Sequence, residues 1–515
     1  MNRDLTATQN DYAVFLPATS GFYATFIGKQ RYGNYVDPAR LPTSFTNSVE
    51  SLNYLEPDKG LFYYNWCLYS AGHANLDLNK ADEGEDMFRN RNRSTSWVLG
   101  DSGGFQIGKG VWDADWKDPN CPKAQKKRSQ VLTWMDSLMD YGMILDIPAW
   151  VARSPAGQKA TGITTYAEAV QGTYINNDYF IKNRNGNCKF LNVLQGENHT
   201  DAEDWYQRMK HYCDPKKYSN HFNGWGMGGQ NMCDIHLVLK RLVALRFDNL
   251  LETGKHDWMH FLGTSKLEWA TLLTDVQRAV RKYHNPNFTI SFDCASPFLA
   301  TANGQIYIQT ETEDRTKWVY RMVPSADDKK YATDTRLFKD AVIQDGIFKN
   351  FESSPVIDQC LMKDICIYAP GDLNKIGKEG RTSWDSFSYA IQMGHNVWSH
   401  INAVQRANQE YDAGKIPAML VQERFDRLFF KDIVEAIFAT SDRGTADAVV
   451  EEYSRFWMSI IGTRGATGKK TVNASTMFAN LFDEVDSMTV QSEHGDEFTD
   501  EEESKLDQLE LQVKE

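Results

Sequence analysis

Residues 97–106 read Trp-Val-Leu-Gly-Asp-Ser-Gly-Gly-Phe-Gln. A short apolar run stops abruptly at a carboxylate, a hydroxyl, two glycines, an aromatic ring and an amide. This is the pattern of a buried strand that delivers a polar site at its C-terminal end. Asp101 and Ser102 reach into a cleft, and Gly103-Gly104 let a ligand approach the backbone. The same pattern recurs along the chain. Met143-Ile144-Leu145 ends at Asp146, and Phe190 to Leu194 ends at Gln195-Gly196. Trp225 to Met227 meets Gly228-Gly229, His260-Phe261-Leu262 meets Gly263-Thr264, and Thr289 to Phe292 ends at Asp293-Cys294. For Asp101 or Asp293 taken alone, the competing assignment is a helix N-cap, a common duty of an aspartate at a strand end.

The elements that must position these groups follow from the intervals between them. Amphipathic segments at 129–141, 201–212, 234–247 and 266–284 separate the apolar runs. Strand–helix alternation implies a parallel sheet. Six polar strand ends predict an α/β fold of the (β/α)8 (TIM barrel) type, whose site is assembled at one rim. A doubly wound sheet, which concentrates its site at one switch point, fits less well. The expected organisation is a catalytic barrel core over 1–300 and, over 301–415, an insertion with a zinc-binding subdomain that completes the barrel. A C-terminal helical extension over 416–482 and an acidic, disordered tail over 483–515 follow. Within the insertion, short strands are expected at Gln305–Gln309 and Lys317–Met322, and a helix over 384–412. Residues 421–460 read as strongly helical, with Phe425, Leu428, Phe429, Ile433, Ile437 and Phe438 at helix spacing. The loop Gly462 to Thr471 is not a phosphate loop. Its glycine spacing is one residue too long, Lys470 stands where Ser or Thr is needed, and a helix rather than a strand precedes it.

Composition bounds the function classes. The chain has 515 residues, is 41% apolar and contains no run long enough for a transmembrane helix. Its start, Met1-Asn2-Arg3-Asp4, lacks an apolar signal core. The eight scattered cysteines read as reduced, so a cytoplasmic location is expected, the host cytoplasm if the chain is phage-encoded. The net charge of −13 is concentrated in the tail: residues 483–515 hold thirteen Asp/Glu against two Lys/Arg, leaving the rest near neutral. Local basic patches, and hence nucleic-acid contact, are therefore compatible with the overall acidity.

Taken in order, these segments resemble the queuine/archaeosine-type guanine transglycosylases, which exchange guanine for a 7-deazaguanine in RNA or DNA. Asp-Ser-Gly-Gly-Phe-Gln at 101–106 matches the family's Asp-Ser-Gly-Gly-(Phe/Tyr)-Gln signature. Asp146 follows, then Val193-Leu194-Gln195-Gly196, resembling its Val-Gln-Gly element. Phe222 to Gly229 is similar to its Phe-x-Gly-x-(Ala/Gly)-x-Gly-Gly loop, Phe261-Leu262-Gly263 to its Leu-Met-Gly, and Phe292-Asp293-Cys294 equals its Phe-Asp-Cys. The resemblance covers roughly residues 10–300, with a weaker echo to about 410. It implies Asp293 as a nucleophile that holds the sugar covalently and Asp101 as the general acid/base. Two displacements at one carbon retain configuration, as in retaining glycosidases. For the base, it implies Asp146, Gln195 and Ser102 on its edges and backbone amides of Gly224, Trp225 and Gly226 at its carbonyl. Phe105 would lie on one face and Leu262 on the other.

Two departures shape the expectation. After Phe-Asp-Cys the tRNA enzymes carry Pro-Thr-Arg, whereas this chain has Ala295-Ser296-Pro297-Phe298-Leu299. The arginine associated with reading an anticodon loop is absent, so DNA is favoured over tRNA. This is the branch of phage and genomic-island DNA-guanine transglycosylases, which insert 7-cyano-7-deazaguanine or a relative. The family's Cys-x-Cys-x2-Cys zinc signature is also altered. Cys360, Cys366 and His395 are the candidate ligands of a structural zinc, with Asp364 or His400 as the fourth. Family enzymes often dimerise through that region, and its alteration leaves a homodimer open. Arg89, Arg91 and Arg93, and Lys123, Lys126, Lys127 and Arg128, are candidate contacts to a nucleic-acid backbone. No membrane partner is expected. The alternatives are the same reaction on tRNA, a non-catalytic nucleic-acid-binding paralogue, and a nucleosidase that releases the base to water.

Overall fold

A computed structural model describes residues 1–29, 36–79, 86–367, 384–422 and 427–460. Eight parallel strands form one sheet: β1 Val14–Pro17, β2 Trp66–Ser70, β3 Trp97–Asp101, β4 Tyr141–Met143, β5 Lys189–Leu194, β6 Gly224–Met227, β7 Trp258–Phe261 and β8 Thr289–Cys294. From β2 to β8 each strand pairs with the next in sequence, and β1 pairs in parallel with β8. The remaining seam, between β1 and β2, is joined by the bridge Ala18–Leu68 and a 2.9 Å bond from the Thr19 amide to the Leu68 carbonyl. The result is a closed (β/α)8 barrel. Closure removes both sheet edges and aligns all eight C-terminal strand ends on one rim.

The outer helices arise where apolar residues recur at helical spacing. Leu267–Tyr283 buries Leu267, Leu272, Leu273, Val276 and Val280, and Ile235–Phe247 buries Val238, Leu239, Leu242 and Leu245. Asp234 caps the latter by accepting from the Leu237 amide. The barrel floor is aromatic: Trp97 stacks on Trp258 with centroids 4.2 Å apart, and Tyr141 packs against both.

All barrel strands lie between residues 14 and 294, so 301–415 adds no strand to it. That region contributes an antiparallel hairpin, β9 Gln305–Glu311 with β10 Val319–Pro324, and the helix Ser386–Asp412, which packs on β1 and on the Leu267–Tyr283 helix. The helix is anchored there by the buried Tyr411 hydroxyl, which donates to Asp275. The strongly helical reading of 421–460 holds from Phe430 onward and is corrected before it. A small hairpin, β11 Val421–Gln422 with β12 Leu428–Phe429, comes first, and the helices Phe430–Ala439, Arg443–Glu452 and Ser454–Trp457 follow. Phe425, the 462–471 loop and the 483–515 tail lie outside the described residues. Among the described residues, no helix is long and apolar enough to cross a membrane.

Candidate active site

The site is built from the C-terminal ends of the strands. Asp101 is the last residue of β3, Asp293 lies near the end of β8, Asp146 follows β4 and Gln195 follows β5 directly. Each short apolar run fixes its strand in the wall, so the next residue emerges at the rim.

Asp101 is hydrogen-bonded from its neighbouring strand. Ser70 ends β2 in register with it, and the Ser70 Oγ donates to Asp101 Oδ2 at 2.5 Å. Burial pushes the Asp101 carboxyl above the usual carboxylate range. The Ser70 bond opposes this and the neighbouring Asp293 charge reinforces it. The two carboxylates therefore stand at the same rim, close enough for their charges to interact. Asp293 stands in a different environment: its Oδ1 accepts from the Gly263 amide at 2.9 Å and lies 3.1 Å from His260 Nε2.

Asp146 is 4% exposed and its Oδ2 accepts from Gln195 Nε2 at 2.8 Å. Burial raises it to about 7, with the Gln195 bond opposing and Asp101 reinforcing. Asp101 therefore couples to carboxylates on both sides. Gly104 explains its own identity here: a Cβ at that position would come 2.9 Å from the Asp146 carbonyl and 3.2 Å from its carboxyl Oδ1. Ser102 is buried beside it. Phe105 is 37% exposed at the rim, 6.0 Å from the Trp150 ring, and so is available as a stacking face rather than spent in the core. Leu262 is half-buried against Met232 and Cys233.

The stretch Gly224, Trp225 and Gly226 is a correction. These residues form β6 itself, in register with β5 on one side and β7 on the other, so their backbone belongs to the barrel wall. The Trp225 indole is buried and donates to the Leu250 carbonyl at 2.9 Å, away from the cleft. The glycines that approach the site are Gly228 and Gly229. A Cβ on Gly228 would meet Gln195 Nε2 at 2.7 Å; Gly229 has φ +55°, and a Cβ there would meet the Gly196 carbonyl at 2.5 Å.

The basic candidates divide by rim. Arg91 is buried on the opposite, N-terminal side. It pairs with Asp140 at 2.8 Å, and Asp140 also accepts from the Val98 amide at the start of β3. Arg93 donates to the Ser137 carbonyl and Arg89 to the Leu78 carbonyl; the expectation that Arg91 contacts a bound polymer is corrected. Arg128 is also buried, donating from Nε to Asn176. Lys127 is better placed, with Nζ 4.7 Å from the Trp112 ring, and Trp112 abuts Gly103 next to Asp101. Lys123 pairs with Asp113 at 3.2 Å, and Lys126 is exposed.

The candidate zinc ligands are turned toward protein partners. His395 places Nδ1 2.9 Å from Ser354 Oγ and Nε2 2.8 Å from the Tyr307 carbonyl. The Cys360 and Cys366 thiols point to the carbonyls of Val356 and Asp328. Asp364 accepts from the Leu361 amide, and His400 is stacked between Phe15 and Tyr320. Among the described residues no group of three or more His, Cys, Asp or Glu is placed to hold a metal.

Sequence reasoning missed Ser70, because β2 was not identified. The signal was present: Trp66 to Tyr69 is a further apolar run that ends at a hydroxyl. His260 was noted only as a strand residue. No family model matches the chain, and no curated protein matches it.

The raised Asp146 carboxyl gives a pH-dependent expectation. Its contribution to stability is full below its unfolded value of about 4 and is lost as pH rises through about 7. Asp146→Asn still accepts from Gln195 but has no charge to bury. Thermal melts are expected to match the wild type near pH 4 and to run roughly 2–4 °C higher at pH 8.5. Titration calorimetry should show deazaguanine binding weakened by about 10–100-fold. A stability difference that does not change with pH would show that Asp146 does not ionise in this range.

Proposed function

We propose that this protein is a transglycosylase that exchanges guanine for a 7-deazaguanine, such as 7-cyano-7-deazaguanine, in DNA. The observation that carries the reading is the pair of unlike carboxylates at one rim. Burial, reinforced by the Asp293 charge, holds the Asp101 carboxyl above its ordinary range, which suits a general acid. Asp293 has one oxygen held by donors, which suits a nucleophile. In the first half, Asp293 attacks C1′ of the deoxyguanosine as the bond to guanine N9 breaks. The electron pair leaves with the base, which takes the Asp101 proton. In the second half, the incoming deazaguanine attacks C1′ and gives its proton to Asp101. The C1′–Asp293 bond breaks, restoring the carboxylate. Asp146, Gln195 and the Gly228-Gly229 turn form the polar edge of the base pocket. Phe105 and Leu262 supply its faces.

A duplex target requires the guanosine to leave the stack, at a cost of a few kcal/mol; Lys127 and Lys126 on the same side are the proposed backbone contacts. DNA is preferred to tRNA because the segment Ala295 to Leu299 lacks the anticodon-reading arginine, and Pro297, Phe298 and Leu299 are buried in the helix after β8. Structural zinc at Cys360, Cys366 and His395 enters no step above. It would require His395 to exchange one of its present partners, and metal analysis of the purified protein decides it. Homodimerisation remains a separate proposal.

The test is incubation with radiolabelled 7-deazaguanine and either DNA or tRNA, with digestion to nucleosides. Label in deoxynucleoside is expected. Label confined to tRNA would transfer the reaction to that polymer, and guanine release without incorporation would make the protein a nucleosidase.

A further inference from the structure

A polar chain runs up the interior of the barrel to the nucleophile from its aromatic floor. Trp258 and His260, two residues apart on β7, face the interior, as do Ser291 and Asp293 on β8, and His260 is in register with Ser291. Trp258 Nε1 lies 2.8 Å from Ser291 Oγ. The same oxygen lies 2.8 Å from His260 Nδ1, and His260 Nε2 lies 3.1 Å from Asp293 Oδ1. His260 and Ser291 are fully buried, so each proton in the chain needs a partner within it.

The proton positions follow from which groups can only donate. An indole N–H donates and never accepts, so Ser291 Oγ is the acceptor for Trp258. The single hydroxyl proton of Ser291 is then directed to His260 Nδ1. A ring nitrogen that accepts carries no proton, so the imidazole proton sits on Nε2 and donates to Asp293 Oδ1. Every other assignment leaves the buried Ser291 proton without an acceptor among these groups. The Gly263 amide donates to the same oxygen at 2.9 Å. Both donors converge on Oδ1, and Oδ2 receives none among the described residues.

We propose that His260 is a positioning residue for the transfer reaction: held in one tautomer by Ser291 and Trp258, it fixes the Asp293 carboxylate so that Oδ2 is the attacking oxygen. This rests on the transglycosylase reading. In the first half the Oδ2–C1′ bond forms and the C1′–N9 bond breaks, with the electron pair and the Asp101 proton leaving on guanine. Oδ1 becomes the carbonyl oxygen of the glycosyl ester and keeps both donors. In the second half the C1′–Oδ2 bond breaks as the incoming base attacks. Its electron pair returns to the carboxylate, where the charge shared with Oδ1 meets two preorganised donors. One arrangement therefore orients the nucleophile and assists its departure.

The test compares His260→Leu, His260→Gln and Ser291→Ala in the full-length protein, with steady-state exchange on DNA measured against both base and polymer. His260→Leu is expected to lower kcat by about 100-fold, with KM for the base within about threefold. His260→Gln keeps an N–H that reaches Oδ1 and is expected to recover kcat to within about tenfold of wild type. Ser291→Ala, a small change that keeps the imidazole but frees its tautomer, is expected to lower kcat by about tenfold. Wild-type exchange together with an unchanged kcat in folded His260→Leu overturns the inference alone. So does a Gln variant no better than Leu, because a packing role would not be rescued by a donor. If the leucine variant does not fold, an unchanged kcat in Ser291→Ala overturns it. Absence of exchange by the wild type on every polymer overturns the parent reading and this inference with it.

Discussion

Replacing Asp293 with asparagine is expected to lower base exchange by about 10⁴-fold or more while leaving the fold in place. The amide oxygen can still accept from Gly263 and His260, so the buried donors on that side keep a partner. What is lost is an anionic oxygen able to bond C1′. Asp293→Ala should be equally inactive, and it also leaves the His260 and Gly263 N–H groups without their acceptor, at a cost of about 1–3 kcal/mol. Circular dichroism and thermal melting of the two variants beside the exchange assay separate the effects. Near-wild-type exchange in the asparagine variant would remove Asp293 from its role.

The second large effect concerns Asp101. Asp101→Asn is expected to lower kcat by about 10²–10⁴-fold, because an amide neither protonates a departing guanine nor takes a proton from the incoming base. The Ser70 hydroxyl can still donate to the amide oxygen, so folding is preserved. Burial, reinforced by the Asp293 charge, holds the Asp101 carboxyl above its ordinary range. The acid form therefore persists to higher pH than in a free carboxyl, and the base-departure step should slow as pH rises through the folded-state value. Stability has the same sign: the contribution of Asp101 is full below its unfolded value and is lost as pH rises through the raised one. In the asparagine variant that limb of the rate profile should vanish. DNA carrying 7-methylguanine, whose base leaves as a neutral species without an added proton, should recover much of the first half-reaction. Failure of this substrate to restore sugar transfer, while the wild type uses it, would argue against Asp101 as the acid.

The legibility of this chain varied with the physics of each segment. β3, β5 and β8 could be read because a buried run that stops at a carboxylate or an amide has few other uses. β1 was not read: Val14–Pro17 is entirely buried and presents no polar group at its end, so nothing marks it off from a helix core. β2 carried a weaker mark in Ser70. The base-pocket glycines were displaced by a few residues because spacing alone does not say where a ladder ends. Pairing with β5 and β7 holds Gly224 to Met227 in the wall and leaves Gly228 and Gly229 to turn toward Gln195. The arginines before β3 looked like polymer contacts because charge in a sequence carries no side. Only the topology shows that Arg91 meets Asp140 at the opposite end of the barrel. His260 was invisible for a related reason: its chemistry depends on Ser291 and Trp258, and β7–β8 register is what brings them together.

The most direct test of the central claim is to stop the reaction halfway. The protein is mixed with guanine-containing DNA without any incoming deazaguanine, denatured, and digested with nuclease and protease, and its peptides are weighed. The account predicts a deoxyribose-derived adduct on the peptide containing residue 293, absent from Asp293→Asn and discharged when deazaguanine is added before denaturation. An adduct on a different side chain, or deazaguanine incorporation by Asp293→Asn at the wild-type rate, would contradict it.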